Sequence, residues 1–171
     1  YGWAKKRFQQ IHPQSPYLYK AFYASAVRRV ALGKLKKAQS SFKALLKKIK
    51  DKEEFLAASS EKLSPILMQV RLDSLSSLAR LSMHEGASEK ALTYFEQVRE
   101  LLPNSPDLLL EIAWAHFKQG NLRKTLGYLL ALDAPIYQDL IAPERYILEA
   151  LTLKSLCQFG PAKQSAVRLY T

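Results

Sequence analysis

The sequence feature that most restricts the fold is a spacing of small and large residues that recurs along the chain. In its clearest copy, Ala79 is followed by Gly86 after 7 residues, by Ala91 after 12 and by Phe95 after 16. Two antiparallel helices approach closely only where small side chains face each other, and a large residue one turn later fills the space beside them. The spacing therefore predicts an all-α fold of repeated helix pairs. The other copies are Ala26, Gly33, Ala38 and Phe42; Ala113, Gly120, Thr125 and Leu129; and, with the glycine displaced, Ala150, Gly160 and Ala162.

Prolines and glycines predict where these helices begin and end. A capping residue followed by proline is typical of a helix start, and it occurs at Ser15-Pro16, Ser64-Pro65, Ser105-Pro106 and Ala142-Pro143. Glycine adopts the left-handed conformation that ends a helix, and the predicted ends are Gly33, Gly86, Gly120 and Gly160. Between these points the apolar residues recur at spacings of three and four, which is the period of a helix. Ser64-Pro65 in particular predicts a long helix that runs to about His84.

The copies resemble the tetratricopeptide repeat (TPR) family. LARLSMHEGASEKALTYFEQVRELLP (78–103) matches its small–Gly–Ala–Phe–Pro pattern well, and IAWAHFKQGNLRKTLGYLLAL (112–132) matches it moderately. ASAVRRVALGKLKKAQSSFKAL (24–45) also matches, whereas YILEALTLKSLCQFGPAKQSAV (146–167) is degenerate. The resemblance covers most of residues 19–171. It implies a right-handed superhelical stack of antiparallel helix pairs, about four in number.

The resemblance also implies one repeat domain over residues 1–171. Residues 1–15 would be the last helix of a preceding repeat, and repeats would occupy residues 19–52, 72–105, 106–139 and 143–171. We expect an irregular insertion at 53–71, either an extra helix or two elongated helices, because equivalent small residues are 53 apart there against 34 and 37 elsewhere. Both ends of the chain remain apolar, so we expect a segment of a longer bacterial repeat protein, with self-association through its uncapped ends.

Composition excludes several classes of protein. No apolar run approaches the roughly 18 residues that a membrane helix needs, and we expect a soluble protein of the bacterial cytoplasm or periplasm. Cys157 is the single cysteine, which permits neither an internal disulfide nor a Cys-based zinc site. The sequence contains no glycine-rich phosphate loop, no HExxH and no Gly-x-Ser-x-Gly. We therefore expect no enzyme activity, no metal and no cofactor.

The family resemblance implies a concave groove, lined by the first helix of each pair, that binds another protein or a peptide. Trp114 is either the hydrophobic anchor for that partner or a residue that packs against the neighbouring pair. Tyr23 and Val27 stand where the chaperone-binding members have Lys and Asn, so binding of a chaperone's C-terminal tail is disfavoured. By alignment the groove residues are Lys20, Tyr23, Arg80, His84, Asp107, Glu111, Trp114 and Lys118, with Val27, Asp73, Ser77, Glu144, Ile147, Leu151 and Lys154 beside them.

The positive charge lies at one end of the chain. The net charge is +11, and residues 1–50 contain 13 Lys or Arg and no Asp or Glu. A second functional hypothesis is therefore an anionic partner, which would be an acidic protein, an anionic membrane surface or nucleic acid. Nucleic acid is disfavoured, because lysines outnumber arginines and most of them lie on the second, solvated helix of a pair. The candidate basic patch comprises Arg28, Arg29, Lys36, Lys43, Lys47 and Lys50.

Overall fold

A computed structural model of the chain describes residues 8, 10–12, 15–140 and 143–169; at residues 138–140 it describes the backbone only. The described residues form helices and no strand, and none of these helices is long and apolar enough to cross a membrane. The expected helix at residues 1–15 lies mostly outside the described residues. The helices are α1 (Tyr17–Ala31), α2 (Leu35–Ala57), α3 (Pro65–His84), α4 (Ser88–Leu101), α5 (Pro106–Lys118), α6 (Leu122–Ala131), a 3-10 helix (Pro135–Leu140), α7 (Glu144–Ser155) and α8 (Phe159–Val167).

The chain divides into two compact units, an N-terminal unit of residues 1–81 and a C-terminal unit of residues 82–171. The boundary falls inside α3. In the N-terminal unit, α1 and α2 pack as a hairpin, and α3 contributes to the same core. The buried residues of that core are Leu45, Ile49, Leu67 and Val70, with Tyr19, Tyr23 and Leu63 packed against them.

The C-terminal unit contains two helix hairpins, α5 with α6 and α7 with α8, and α4 packs on α5. The helix α5 is buried on most of its circumference, because α4, α6 and α7 all contact it. Its Leu110 and Ala113 share a core with Leu148 of α7. The other buried residues of this core are Leu129, Leu132 and Tyr137.

Burial confirms that the repeated spacing is a packing pattern. Ala26, Ala38 and Phe42 are all 0% exposed. The small residues of the next two copies are as deeply buried, and the large residue that follows each is 1% exposed. The last copy is looser, since Ala162 is 9% exposed and Ala150 is half-buried. The buried residues of the middle copies are Ala79, Ala91, Phe95, Ala113, Thr125 and Leu129.

Three of the four predicted helix ends are confirmed. Gly33, Gly86 and Gly120 have φ values of +68°, +78° and +75°, the left-handed conformation that costs glycine least. After Gly120, the amide of Asn121 donates to the carbonyl of His116 at 2.9 Å, and the Gly120 amide donates to Phe117 at 2.9 Å. These two hydrogen bonds satisfy carbonyls that the end of a helix leaves unpaired.

The fourth predicted helix end, Gly160, is wrong. Gly160 lies in the first turn of α8, and the left-handed residue of the turn that follows α7 is Cys157, three residues earlier, whose φ is +60°. The amides of Cys157 and Gln158 donate to Lys154 and Leu153, the same pair of hydrogen bonds that follows the glycines. Cys157 stands 7 residues after Ala150, as Gly120 does after Ala113. The turn therefore keeps the repeat register and has lost its glycine.

The expected irregular insertion at 53–71 is mostly helical. Helices α2 and α3 are elongated to 23 and 20 residues, and only residues 58–64 separate them. The long helix from Pro65 to His84 that Ser64-Pro65 predicts is confirmed, and the Ser64 hydroxyl accepts from the Leu67 amide at 3.4 Å. Ser60, with φ +57°, ends α2 by the left-handed turn that glycine provides elsewhere.

Replacing Cys157 with glycine should stabilise the protein. Cys157 is exposed, so its side chain contributes little packing, while a left-handed conformation costs a residue with a Cβ more than it costs glycine. We expect Cys157→Gly to raise the free energy of unfolding by about 0.5–1 kcal/mol, measured by urea denaturation. Cys157→Ala is the control, because it keeps the Cβ; an equal gain from alanine would contradict the backbone explanation.

Candidate functional site

Trp114 lies in the middle of α5 and is half-buried. Its ring packs edge-on against Phe117, with centroids 5.9 Å apart and planes at 89°, and it contacts the core of the C-terminal unit. The indole Nε1 atom is buried and has no hydrogen-bond partner among the described residues. A partner therefore cannot use the polar edge of this ring. Of the two interpretations that the sequence leaves open, these contacts favour packing.

His116, on the opposite side of α5, is a packing residue. It is 6% exposed and stacks on Tyr128 of α6 with centroids 5.4 Å apart and planes at 20°. Burial lowers the pKa of its imidazole, and the nearby Lys124 lowers it further. Nδ1 is buried without a hydrogen-bond partner in the described part of the chain. Among the described residues, no group of three His, Cys, Asp or Glu could hold a metal ion.

The predicted groove residues of α5 lie on one exposed strip of that helix. Asp107, Glu111, Trp114 and Lys118 are spaced by four, three and four residues, which places them on one face. Asp107 and Lys118 are exposed at its two ends, and Glu111 is half-buried between them. Lys118 also lines an open cleft of about 590 Å³ together with Glu89 and Lys90.

The corresponding strip of α7 contains two exposed apolar residues. Ile147 is 43% exposed and Leu151 is 39% exposed, one turn apart, with Glu144 and Lys154 exposed at the ends of the strip. Helices α5 and α7 contact each other, and we call their two strips together the α5–α7 surface. It comprises Asp107, Glu111, Trp114, Lys118, Glu144, Ile147, Leu151 and Lys154.

Three of the eight principal groove candidates, Lys20, Tyr23 and Arg80, belong to the N-terminal unit, and the other five belong to the C-terminal unit. Tyr23 is a structural residue, since its hydroxyl hydrogen-bonds with that of Ser77 at 3.4 Å and joins α1 to α3. Its ring also packs on Phe42 with centroids 5.6 Å apart. Lys20, Arg80 and His84 are exposed, and the Lys20 ammonium lies 5.8 Å from the centroid of Tyr17.

Four lysines of the predicted basic patch form a continuous ridge on α2. Lys36, Lys43, Lys47 and Lys50 are all exposed and lie on the face away from the buried stripe. We call them the lysine ridge. Lys50 pairs with Glu54 at 3.7 Å, and both side chains are largely exposed, so this pair neutralises little of the field. Arg28 and Arg29 lie on α1, where the Arg29 guanidinium donates to the Ser25 hydroxyl at 3.3 Å.

The charge of this ridge is not imposed by the fold. Relative to Ala38, the first three lysines stand at −2, +5 and +9, and the residues at those offsets from Ala91 on α4 are Glu89, Glu96 and Glu100. These glutamates are exposed as well. The N-terminal unit contains 17 Lys or Arg and 5 Asp or Glu, whereas the C-terminal unit contains 9 and 10. The excess positive charge therefore belongs to the N-terminal unit.

Arg145 is a buried residue that the sequence pattern does not predict. Arg145 lies in the first turn of α7, is 1% exposed and forms an ion pair with Asp133, which is half exposed. This pair ties α7 to the connection that follows α6. Its Nε atom is buried without a hydrogen-bond partner among the described residues, as is Oε2 of Glu149 one turn later. No sequence pattern distinguishes this arginine from the solvated arginines common at helix surfaces.

Two substitutions at Trp114 should distinguish how much the packing of its ring and how much its indole N–H contribute to the free energy of unfolding. We expect Trp114→Ala to lower the free energy of unfolding by about 2–3 kcal/mol, because it leaves a cavity in a partly buried site. Trp114→Phe should cost about 1 kcal/mol or less, because the lost N–H has no acceptor in the described part of the chain. Urea denaturation of both variants measures this difference. Equal losses from phenylalanine and alanine would show that the indole N–H contributes to stability.

Solved structures resemble this chain over most of its length. BtubC (BKLC) from P. vanneervenii matches with a TM-score of 0.69 and 15% identity over 96% of this chain and 66% of that chain, so this chain spans slightly less than two thirds of BtubC. A Podosopora anserina protein with nearly identical TPR-like repeats, assigned as a kinesin light chain, matches with a TM-score of 0.64 and 19% identity over 92% of this chain and 76% of that chain. No family model and no curated protein matches the sequence. The chain has the all-α fold of TPR-like repeat proteins, with about four helix pairs.

Proposed function

We propose that the chain is a non-catalytic protein-interaction module, and that its α5–α7 surface binds a peptide or helix of a partner protein. The observation that supports this proposal is the pair of exposed apolar residues on α7. Ile147 and Leu151 are 43% and 39% exposed on a helix whose opposite face is buried by the core. Singly exposed apolar residues are common, but two at i and i+4 form a stripe that an apolar partner segment can cover.

The α5 strip complements this stripe. Trp114 is half-buried and packs against the core that contains Leu148 of α7, so it adds a rigid aromatic side chain to the α5–α7 surface. A partner that covers the exposed parts of Ile147 and Leu151 would gain about 1–2 kcal/mol from each. The charged side chains at the ends of both strips form a polar rim, as in known interfaces. The absence of catalytic motifs in the sequence supports a binding role.

Ile147→Asp should weaken peptide binding through this surface. Peptides selected from a display library against the whole chain supply the ligands, and fluorescence anisotropy measures their dissociation constants. We expect Ile147→Asp to weaken binding by at least about tenfold, because it places a charge in the apolar stripe.

The matched control is Ile136→Asp. Ile136 is more exposed, at 71%, and lies in the 3-10 helix outside the α5–α7 surface. Circular dichroism confirms that both variants fold. Selected peptides that bind both variants as tightly as the parent would contradict the proposal.

The lysine ridge supports a second candidate function, binding of an anionic partner. Lys36, Lys43 and Lys47 are exposed at positions where α4 has glutamate, so helix packing does not require lysine there. Together with the net charge of the N-terminal unit, the ridge attracts an acidic protein or an anionic membrane surface. Nucleic acid remains the disfavoured partner, since lysine gives a diffuse field and lacks the planar fork with which arginine binds phosphate.

Charge reversal on the ridge tests this second function. The probes are a polyglutamate peptide, vesicles containing phosphatidylserine and a single-stranded oligonucleotide, each titrated at low and physiological salt. We expect Lys36/Lys43/Lys47→Glu to weaken binding of whichever probe binds the parent protein by about tenfold or more. The difference in affinity should shrink as the salt concentration rises. Glu89/Glu96/Glu100→Lys is the control at equivalent positions and should not weaken it. An unchanged affinity in the lysine variant would rule out the ridge as the site.

A further inference from the structure

The α5–α7 surface is acidic at one end and basic at the other. Asp107 and Glu144 occupy the first turns of α5 and α7, and Lys118 and Lys154 occupy the last turns. The α5–α6 pair is followed by the α7–α8 pair, and in a stack of antiparallel helix pairs the first helices of successive pairs run in the same direction. The two carboxylates therefore lie at one end of the surface and the two ammonium groups at the other, with Ile147 and Leu151 between them.

The two charged ends act independently. Asp107 and Lys118 are 11 residues apart, which is about 16 Å along a helix. Glu144 and Lys154 are 10 residues apart, or about 15 Å. Both separations exceed the screening length of about 8 Å at physiological salt. A bound segment therefore meets an acidic site, an apolar stripe and a basic site in succession.

Helix stability alone does not explain this arrangement. Acidic residues in a first turn and basic residues in a last turn do favour a helix through its dipole. However, α1, α2, α3, α6 and α8 form with no acidic residue in the first turn, and α2, α6 and α8 also lack a basic residue in the last. The charges on the two strips are thus additional to what this fold needs.

We propose that the α5–α7 surface recognises a bipolar segment, and this inference rests on the proposed function of that surface. The segment has apolar residues in its middle, Lys or Arg at the end that contacts Asp107 and Glu144, and Asp or Glu at the end that contacts Lys118 and Lys154. A uniformly basic or acidic segment matches one end of the surface and is repelled at the other. The charges therefore fix the direction in which the segment lies.

Three synthetic peptides of about 14 residues, enough for a helix of about 20 Å, test the selectivity. They share one apolar centre and carry three lysines at one end and three glutamates at the other, or lysines at both ends, or glutamates at both ends. We expect the bipolar peptide to bind the whole chain about tenfold more tightly than either uniform peptide at low salt. Equal affinities of the three peptides would overturn the proposal.

A fourfold charge reversal tests the direction. A photo-crosslinking residue at the lysine end of the bipolar peptide should label the first turns of α5 and α7. In the variant Asp107→Lys, Glu144→Lys, Lys118→Glu and Lys154→Glu, whose net charge is unchanged, the same peptide should bind with similar affinity and label the last turns. Labelling of the same end in both proteins would overturn the proposal.

The outcome also separates this inference from the proposed function. If all three peptides bind equally and Ile147→Asp abolishes their binding, the apolar surface binds partners and the bipolar inference fails. If the three peptides bind, with or without selectivity, and Ile147→Asp leaves their binding unchanged, they bind elsewhere and the bipolar inference fails; the proposed function fails as well if Ile147→Asp also leaves the binding of the display-selected peptides unchanged. If none of the three peptides binds while display-selected peptides do so in an Ile147-dependent manner, the bipolar inference alone fails. Binding of no peptide of either kind overturns both.

Discussion

The close approach of paired helices at small residues is the contact on which the rest of the fold depends. Ala26 of α1 and Ala38 of α2 are fully buried, and with no side chain beyond Cβ they let the two helices of the hairpin come near each other. Thr125 occupies the equivalent position on α6, where its hydroxyl donates to the carbonyl of Asn121 at 3.1 Å. The position thus stays compact and its polar group is satisfied. The deep burial of Phe42 and Leu129 follows from this approach.

Much of the fold could be predicted, because both the small residues and the turns follow one register. The left-handed turn falls 7 residues after the small residue in four copies, whether the residue is Gly33, Gly86, Gly120 or Cys157. The repeat register predicts the left-handed turn at Cys157. The assumption that a glycine ends each helix predicts it at Gly160, which is wrong. A left-handed cysteine costs little enough that the surrounding hairpin holds it in place. Position in the repeat is therefore a better guide to a turn than residue type.

The candidate surfaces were less predictable, because exposure depends on how one helix pair packs against the next. Spacing places Trp114, Ile147 and Leu151 correctly on their helices, but it does not show that the tryptophan is partly covered while the aliphatic pair is open. Arg145 illustrates the same limit. Its burial depends on Asp133, in the connection between α6 and α7, where neither the repeat spacing nor the apolar period applies.

Exposed residues outside the helix-packing contacts can differ from one repeat to the next without loss of the fold. Lys36, Lys43 and Lys47 on α2 occupy the same repeat positions as Glu89, Glu96 and Glu100 on α4, and the helix forms with either charge. The two hydroxyl residues at offset +2, Ser40 and Thr93, both donate to the carbonyl four residues earlier, so the helices agree even in this detail. Since local structure is matched while charge is opposite, packing within the helix pair does not set the charge at these positions. The two proposed binding functions accordingly concern the exposed strips of the chain and not its small-residue contacts.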